Sequence, residues 1–317
     1  MKAIEPTLRA RGIVVGYANR PPVLDHVDID VLDGELTVIV GPNACGKSTL
    51  LRSLARVLAL RGGRVLLDGQ DIRAMNQKGV ARRLGLLPQS PQAPDDMLVE
   101  ELVGRGRYPY QSLVRQWSEA DDDAVERAMA DAGVAGLAAR RLSELSGGQR
   151  QRVWIAMALA QCTRILLLDE PTTYLDLNHQ LEVLNMAGRL HREGRTVVAV
   201  LHDLHLAFRY ATHLLVMKDG RLVAQGHPGR IVTAELIEDV FSVACRIIDD
   251  PETGRPMLVI DPRNGRIRDR NDDRARAEHL NEINKTRDDF FAHMDVVKPI
   301  MEKYRSMEFP TLVIDRG

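Results

Sequence analysis

From Leu36 to Thr49 the chain reads LTVIVGPNACGKST: five aliphatic or β-branched residues, a glycine–proline break, then Gly-Lys-Ser opening a helix-forming stretch. Gly41 to Ser48 satisfies G-x-x-x-x-G-K-[ST], with a strand before it and a helix after it. A buried strand that turns straight into a helix aims successive backbone N–H groups at one point, and the helix dipole adds positive potential there. The sequence therefore predicts an α/β fold built around a phosphate-binding loop. Gly41, Pro42, Asn43, Ala44, Cys45, Gly46 and Thr49 form the cradle, Lys47 reaches the β- and γ-phosphates of a nucleotide, and the Ser48 hydroxyl faces Mg²⁺.

The centre of the loop is unusual, because Ala44 and Cys45 stand where such loops are crowded with glycine. Ala44 keeps its N–H and requires only that the backbone avoid conformations reserved for glycine. Cys45 sets a thiol beside the phosphates, where Lys47 and the helix N-terminus would lower its pKa and make it reactive. The alternative is a small residue that merely fits.

The rest of the chain supplies the sheet. VDIDV (Val27 to Val31) alternates, with Val27, Ile29 and Val31 on one face. RVLLDG, RLGLLPQ, RILLLDE and TVVAVLH are short aliphatic runs, several without alternation, as expected of strands buried on both faces of a parallel sheet. HLLVMKDGRLVAQG reads as a hairpin turning at Asp219-Gly220. From about residue 90 to 164 helical periodicity replaces the strand signal. PMLVID (Pro256 to Asp261) is the last clear strand, so a domain over 1–263 is expected, with an extension over 264–317.

Two further motifs carry chemistry. RILLLDE ends an apolar strand in Asp169, placed for the loop's Mg²⁺, and Glu170, placed to orient or deprotonate a water. LSGGQRQRVWIAMALAQ contains Leu145, Ser146, Gly147, Gly148 and Gln149, a hydroxyl and exposed N–H groups ahead of a helix. This signature resembles the hallmark of ABC-type ATPases, and the likeness covers about residues 7 to 262. The resemblance implies a P-loop NTPase core of mostly parallel sheet, an N-terminal antiparallel β subdomain and a helical signature subdomain. It also implies an ATP sandwich between two copies arranged head to tail. Tyr17 matches the aromatic that stacks on adenine. Gln89 matches the glutamine that contacts Mg²⁺ and reports to the helical insertion. Pro171 and Asp176 match the loop crossing the dimer interface, and His202 the switch histidine at the γ-phosphate.

One nucleotide domain without a membrane span is similar to separate ATP-binding subunits of importers. No run approaches 18 apolar residues and no signal segment opens the chain. Cys45, Cys162 and Cys245 have no metal or disulfide spacing, which suits a reducing compartment. The expectation is a peripheral protein on the cytoplasmic face of the membrane. GRGRYPYQSL and DEPTTYLDLNHQLEVL are similar to subunits that energise uptake of ferric siderophores, haem and cobalamin, the siderophore type above all. A non-transport ABC ATPase is the alternative. Permease subunits are the implied partners, a substrate-binding protein is an indirect one, and Arg105, Arg107 and Tyr108 are candidate docking residues. Lys plus Arg number 43 against 44 Asp plus Glu, a balance that points to no nucleic acid.

In the extension 22 of 54 residues are charged, 11 of each sign, which marks it as an appended tail. Leu280, Ile283, Arg287, Phe290, Met294, Val297, Met301 and Tyr304 keep heptad spacing, interrupted at Pro299, so a helix is expected. It either regulates closure or is an inert extension.

Overall fold

The computed structural model describes residues 6–16, 21–112, 117–173 and 175–260. Tyr17 and the extension, with its expected helix, lie outside the described residues.

An antiparallel sheet opens the chain. Strands β1 (Pro6–Val15) and β2 (Leu24–Leu32) precede the central strand β3 (Leu36–Val40) and the loop helix α1 (Lys47–Leu54). After them β4 (Gly62–Leu67) and the two-residue β5 (Gln70–Asp71) complete that sheet in the order β2-β1-β4-β5. A short helix α2 (Gln77–Ala81) leads to β6 (Leu84–Leu87). The helical insertion follows, with α3 (Val99–Gly104), α4 (Glu119–Asp131) and α5 (Gly147–Ala160).

The chain returns to the central sheet through β7 (Ile165–Asp169), α6 (Leu177–Arg192), β8 (Thr196–Val200), α7 (Leu204–Tyr210) and the pair β9 (His213–Lys218) and β10 (Arg221–Gly226). The sheet order is β10-β9-β3-β8-β7-β6, parallel throughout except for β10 at its edge. Helices α8 (Pro228–Ile231) and α9 (Ala234–Phe241) then lead to a hairpin of β11 (Cys245–Asp249) and β12 (Pro256–Ile260).

The unalternating aliphatic runs now have their physical reason. Every residue of β3, β7 and β8 is buried. On one face Val38, Val40, Leu166, Leu168, Val197 and Ala199 pack with α5, α6 and α7. On the other, Ile39, Ile165, Leu167, Val198 and Val200 meet α1 and the antiparallel sheet. A strand covered on both sides has no solvent face on which to place polar residues. Strand β11 is not distinguished in the sequence, because a two-stranded hairpin with an exposed face leaves only the short CRIID.

The Asp219-Gly220 turn does more than join two strands. Both residues have positive φ (48° and 75°), as a two-residue hairpin turn of matching twist requires. The Gly220 N–H donates to the Cys45 carbonyl at 3.1 Å, and its carbonyl accepts from the Asp25 N–H at 3.2 Å. The turn thus ties the phosphate loop to the antiparallel sheet. A Cβ on Gly220 would stand 2.2 Å from the Val23 carbonyl oxygen. Gly220→Ala is expected to cost about 1–3 kcal/mol of stability and to weaken nucleotide binding, measured by thermal melting and ATP titration; an unchanged melt contradicts the bracing role.

Candidate functional site

The C-terminal ends of β3, β6, β7 and β8 deliver the loop, Gln89, Asp169–Glu170 and His202 to one edge of the sheet, the side on which parallel α/β sheets bind ligands. There a cleft of about 1050 Å³ is lined by loop residues together with Gln89, Glu170, Thr173 and His202, and by Val23 and Phe241.

The loop turns between two glycines. Gly46 has φ 102° and precedes α1 without any side-chain cap, so the first N–H groups of the helix are left for a ligand. A Cβ on Gly41 would lie 2.3 Å from the Met217 carbonyl oxygen, which explains glycine there. Lys47, 5% exposed, donates through Nζ to the carbonyls of Gly41 and Pro42 at 2.9 and 2.8 Å.

Two expectations for the loop centre are corrected. Ala44 has φ 61°, inside the left-handed region that favours glycine. The loop curls there regardless of residue type, so alanine carries a local strain of about 1–2 kcal/mol. The Cys45 side chain does not join the cleft lining. It is buried in the core between α1 and the antiparallel sheet, and its Sγ would stand 2.7 Å from a Cβ on Gly41. Burial pushes the thiol up from its ordinary pKa and outweighs the opposing influence of Lys47. Cys45 is therefore a packing residue, with only its backbone turned to the loop's purpose.

Ser48 Oγ donates to Asp169 Oδ1 at 2.7 Å. Asp169 is fully buried, and its Oδ2 has no hydrogen-bond partner, with only Arg52 Nε near it at 3.5 Å. Burial pushes the Asp169 carboxyl up, against the pull of Ser48 and Arg52. An orphaned carboxylate oxygen beside a hydroxyl is a hard-oxygen donor set, and it fits Mg²⁺, which takes one or two protein oxygens and leaves the rest to phosphates and water. No group of three or more His, Cys, Asp or Glu side chains among the described residues could form a closed metal cage.

Glu170 is held from three sides. Gln89 Nε2 donates to its Oε2 at 2.6 Å, His202 Nε2 lies 2.7 Å from its Oε1, and Thr173 Oγ1 donates to Oε2 at 3.3 Å. Its backbone is left-handed (φ 54°), and the Thr173 N–H donates to its carbonyl. The sequence placed Gln89, Glu170 and His202 in one site, and the structure brings all three together. Thr173, Arg52, Val23 and Phe241 were missed; no motif marks them, and only the fold brings them in.

The signature residues do not line this cleft. Ser146 caps α5: its Oγ accepts from the Gln149 N–H at 3.2 Å, while Gln149 Oε1 accepts from the Ser146 N–H at 3.1 Å. Ser146 and Gly147 are exposed. Asp176 caps α6 through the His179 N–H, whose ring Nδ1 also lies 2.6 Å away, and these contacts hold its carboxyl below the usual range. The docking expectation for Arg107 is also corrected. It is 6% exposed, bonded to Asp121 and to the Ala160 carbonyl, with its guanidinium 4.0 Å from the Tyr110 ring. Arg105 is exposed and Tyr108 is 65% exposed.

Residues 24–173 match the family described as ABC transporter. The chain is 51% identical over 253 residues to the ferric enterobactin transport ATP-binding protein FepC of Escherichia coli (strain K12), covering 80% of this chain and 93% of that protein. It is likewise 51% identical over 246 residues to the probable siderophore transport system ATP-binding protein YusV of Bacillus subtilis (strain 168), covering 77% and 89%. A solved dimeric structure of a bacterial ABC transporter cassette superimposes with a TM-score of 0.63 at 25% identity, over 69% of this chain and 98% of that one. The chain belongs to the ABC transporter ATP-binding family. It binds ATP and hydrolyses it, and no helix among its described residues is long and apolar enough to cross a membrane.

Two measurements check the site. With a limiting alkylating reagent, the exposed Cys162 should react first and the buried Cys45 and Cys245 only on unfolding; early loss of ATPase through Cys45 modification contradicts the packing role. Because the carboxyl of Asp169 is raised, the folded state binds a proton that the unfolded chain has already lost as pH climbs above about 4. Its contribution to stability therefore falls through that window and stays low above the raised pKa. Asp169→Asn should accordingly raise the melting temperature in Mg²⁺-free buffer at neutral pH, with the gain shrinking toward pH 4, while ATPase activity collapses.

Proposed function

We propose that this chain is the ATP-hydrolysing subunit of an importer of iron(III)–siderophore complexes, seated on the cytoplasmic face of the membrane beneath a permease. The observation supporting this reading is the degree of identity: 51% to FepC over 253 aligned residues, against 44% to a hemin and 41% to a cobalamin import ATP-binding protein over stretches of similar length. Similarity of that extent includes surfaces that never touch nucleotide.

In this reading two copies pair head to tail. The N–H groups of the loop and Lys47 hold the phosphates of ATP on one copy. The signature turn of the other, Leu145 to Gln149, meets the γ-phosphate, and Asp176 lies where the copies cross. Ser48, Asp169 and Gln89 would hold Mg²⁺, which when bound offsets phosphate charge. Glu170 is the base that takes a proton from the attacking water. These contacts occupy three of the roughly four lone-pair sites of its carboxylate, so they fix where it points and leave a site for that water. Gln89 lies at the end of β6, ahead of the helical insertion, and His202 at the end of β8. Movement of either element would therefore turn the base relative to the water.

A groove of about 650 Å³ between α3 and α4 fits a short helix of the permease. Its lining combines Gly104, Trp117, Val125 and Met129 with the acidic Glu100, Glu101, Asp122 and Glu126, beside Arg105 and Tyr108. A substrate-binding protein delivers cargo to the permease, and this chain does not touch the cargo.

The test is reconstitution with a candidate permease in lipid and measurement of ATPase rate against loaded binding proteins. Stimulation by a ferric siderophore, and none by haem or cobalamin, is expected; stimulation by either of the latter alone overturns the substrate assignment. Glu170→Gln in the same system should retain ATP in a stable dimer and lose turnover by about 100-fold or more.

A further inference from the structure

The cleft has two chemically different ends, and sheet order separates them. Strands β8, β7 and β6 lie on one side of β3 and carry His202, Glu170 and Gln89. Strands β9 and β10 lie on the other side, and there the lining turns apolar. The Val23 carbonyl packs against Gly220 in the β9–β10 turn, and Val23 Cγ1 would stand 3.5 Å from a Cβ on Gly46. On the same side Lys218, the last residue of β9, reaches α9 through Nζ to the Asp239 carbonyl at 2.6 Å and to its carboxylate at 3.1 Å. Two residues further, Phe241 ends α9 and lines the nucleotide cleft, its ring only half buried.

Phe241 packs against the edge of the core, which covers it only in part. Ile237 and Val240, one and two per cent exposed, bury the inner face of α9. The next residue, Ser242, ends the helix in the left-handed conformation (φ 56°), so the chain turns away just past Phe241. A partly uncovered aromatic side chain lining a polar cleft is placed to meet a flat apolar group. ATP supplies one. With its phosphates on the loop and its γ-phosphate toward Glu170, its base is directed to the β9–β10 side, where Val23 and Phe241 stand.

We propose that Phe241 is a base-contacting residue of the nucleotide site, so that the C-terminal helix α9 contributes directly to ATP affinity. The inference rests on the phosphate loop being the nucleotide site, and the test separates the two. Binding of Mg-ATP and of inorganic triphosphate is measured by calorimetry on the full chain, for the wild type and Phe241→Ala. Triphosphate engages the loop but has no base. The variant should bind ATP about 10-fold more weakly, the usual scale for losing one base–aromatic contact, while triphosphate affinity changes less than twofold. KM for ATP should rise with kcat preserved, and Phe241→Tyr should restore binding. Equal losses for both ligands, or no loss for ATP, overturn the proposal. If wild-type protein binds neither ligand, the loop reading itself fails. Should Phe241→Ala not fold, Phe241→Trp serves: an indole signal that responds to ATP but not to triphosphate is expected, and one that ignores ATP overturns the assignment.

Discussion

The burial of β3 on both faces is the constraint on which the site depends. Ile39 is locked against α1 and the antiparallel sheet, and Val38 and Val40 against the helices opposite. Its neighbours β8 and β9 are registered to it residue by residue, from Leu36 opposite Val197 to Val40 opposite Val216. The point at which β3 ends is therefore not adjustable, and the loop starts from a rigid platform. A cradle of backbone N–H groups only works if the chain cannot drift, because each N–H must arrive at its angle without further ordering cost.

From that platform the site combines tight and loose parts. Gly41, pressed on the Met217 carbonyl, and Gly220, pressed on that of Val23, leave no room for movement at the loop's base. The carboxylate of Glu170, in contrast, is held only by side chains from three separate segments, each of which can turn away. Strain at Ala44 and Glu170, both left-handed, sits where the chain must bend sharply to do its work. The orphaned Oδ2 of Asp169 belongs with these costs: it weakens the fold and suits a cation.

Much of this is legible in the sequence, and the residues that are not share a cause. Gly41, Lys47, Ser48 and Glu170 are recognisable because their chemistry requires fixed residue types at fixed spacing. The aliphatic runs reveal a doubly covered sheet because burial on both faces erases alternation. Side-chain direction is different. Cys45 is in the loop yet points into the core, and Arg107 lies between the exposed Arg105 and Tyr108 yet is folded against Tyr110. Gly106 and Pro109 are buried with Arg107, so both outcomes depend on which partner lies across a tertiary contact. Phe241 and Thr173 escape notice for a related reason: nothing local distinguishes them, and only the return of distant chain to the cleft gives them a role.

The capping arrangement of Ser146 has one more consequence. Accepting from the Gln149 N–H occupies one lone pair and fixes the position of the hydroxyl oxygen, while its hydrogen can still turn away from the helix. In the proposed head-to-tail pairing an anion reaching this turn would find the hydroxyl oxygen already in place and exposed. The residue that stabilises the helix is thus cocked by that same bond, like a latch set before the door closes. Threonine would preserve both duties. Asparagine or aspartate would keep the helix cap and lose the hydroxyl.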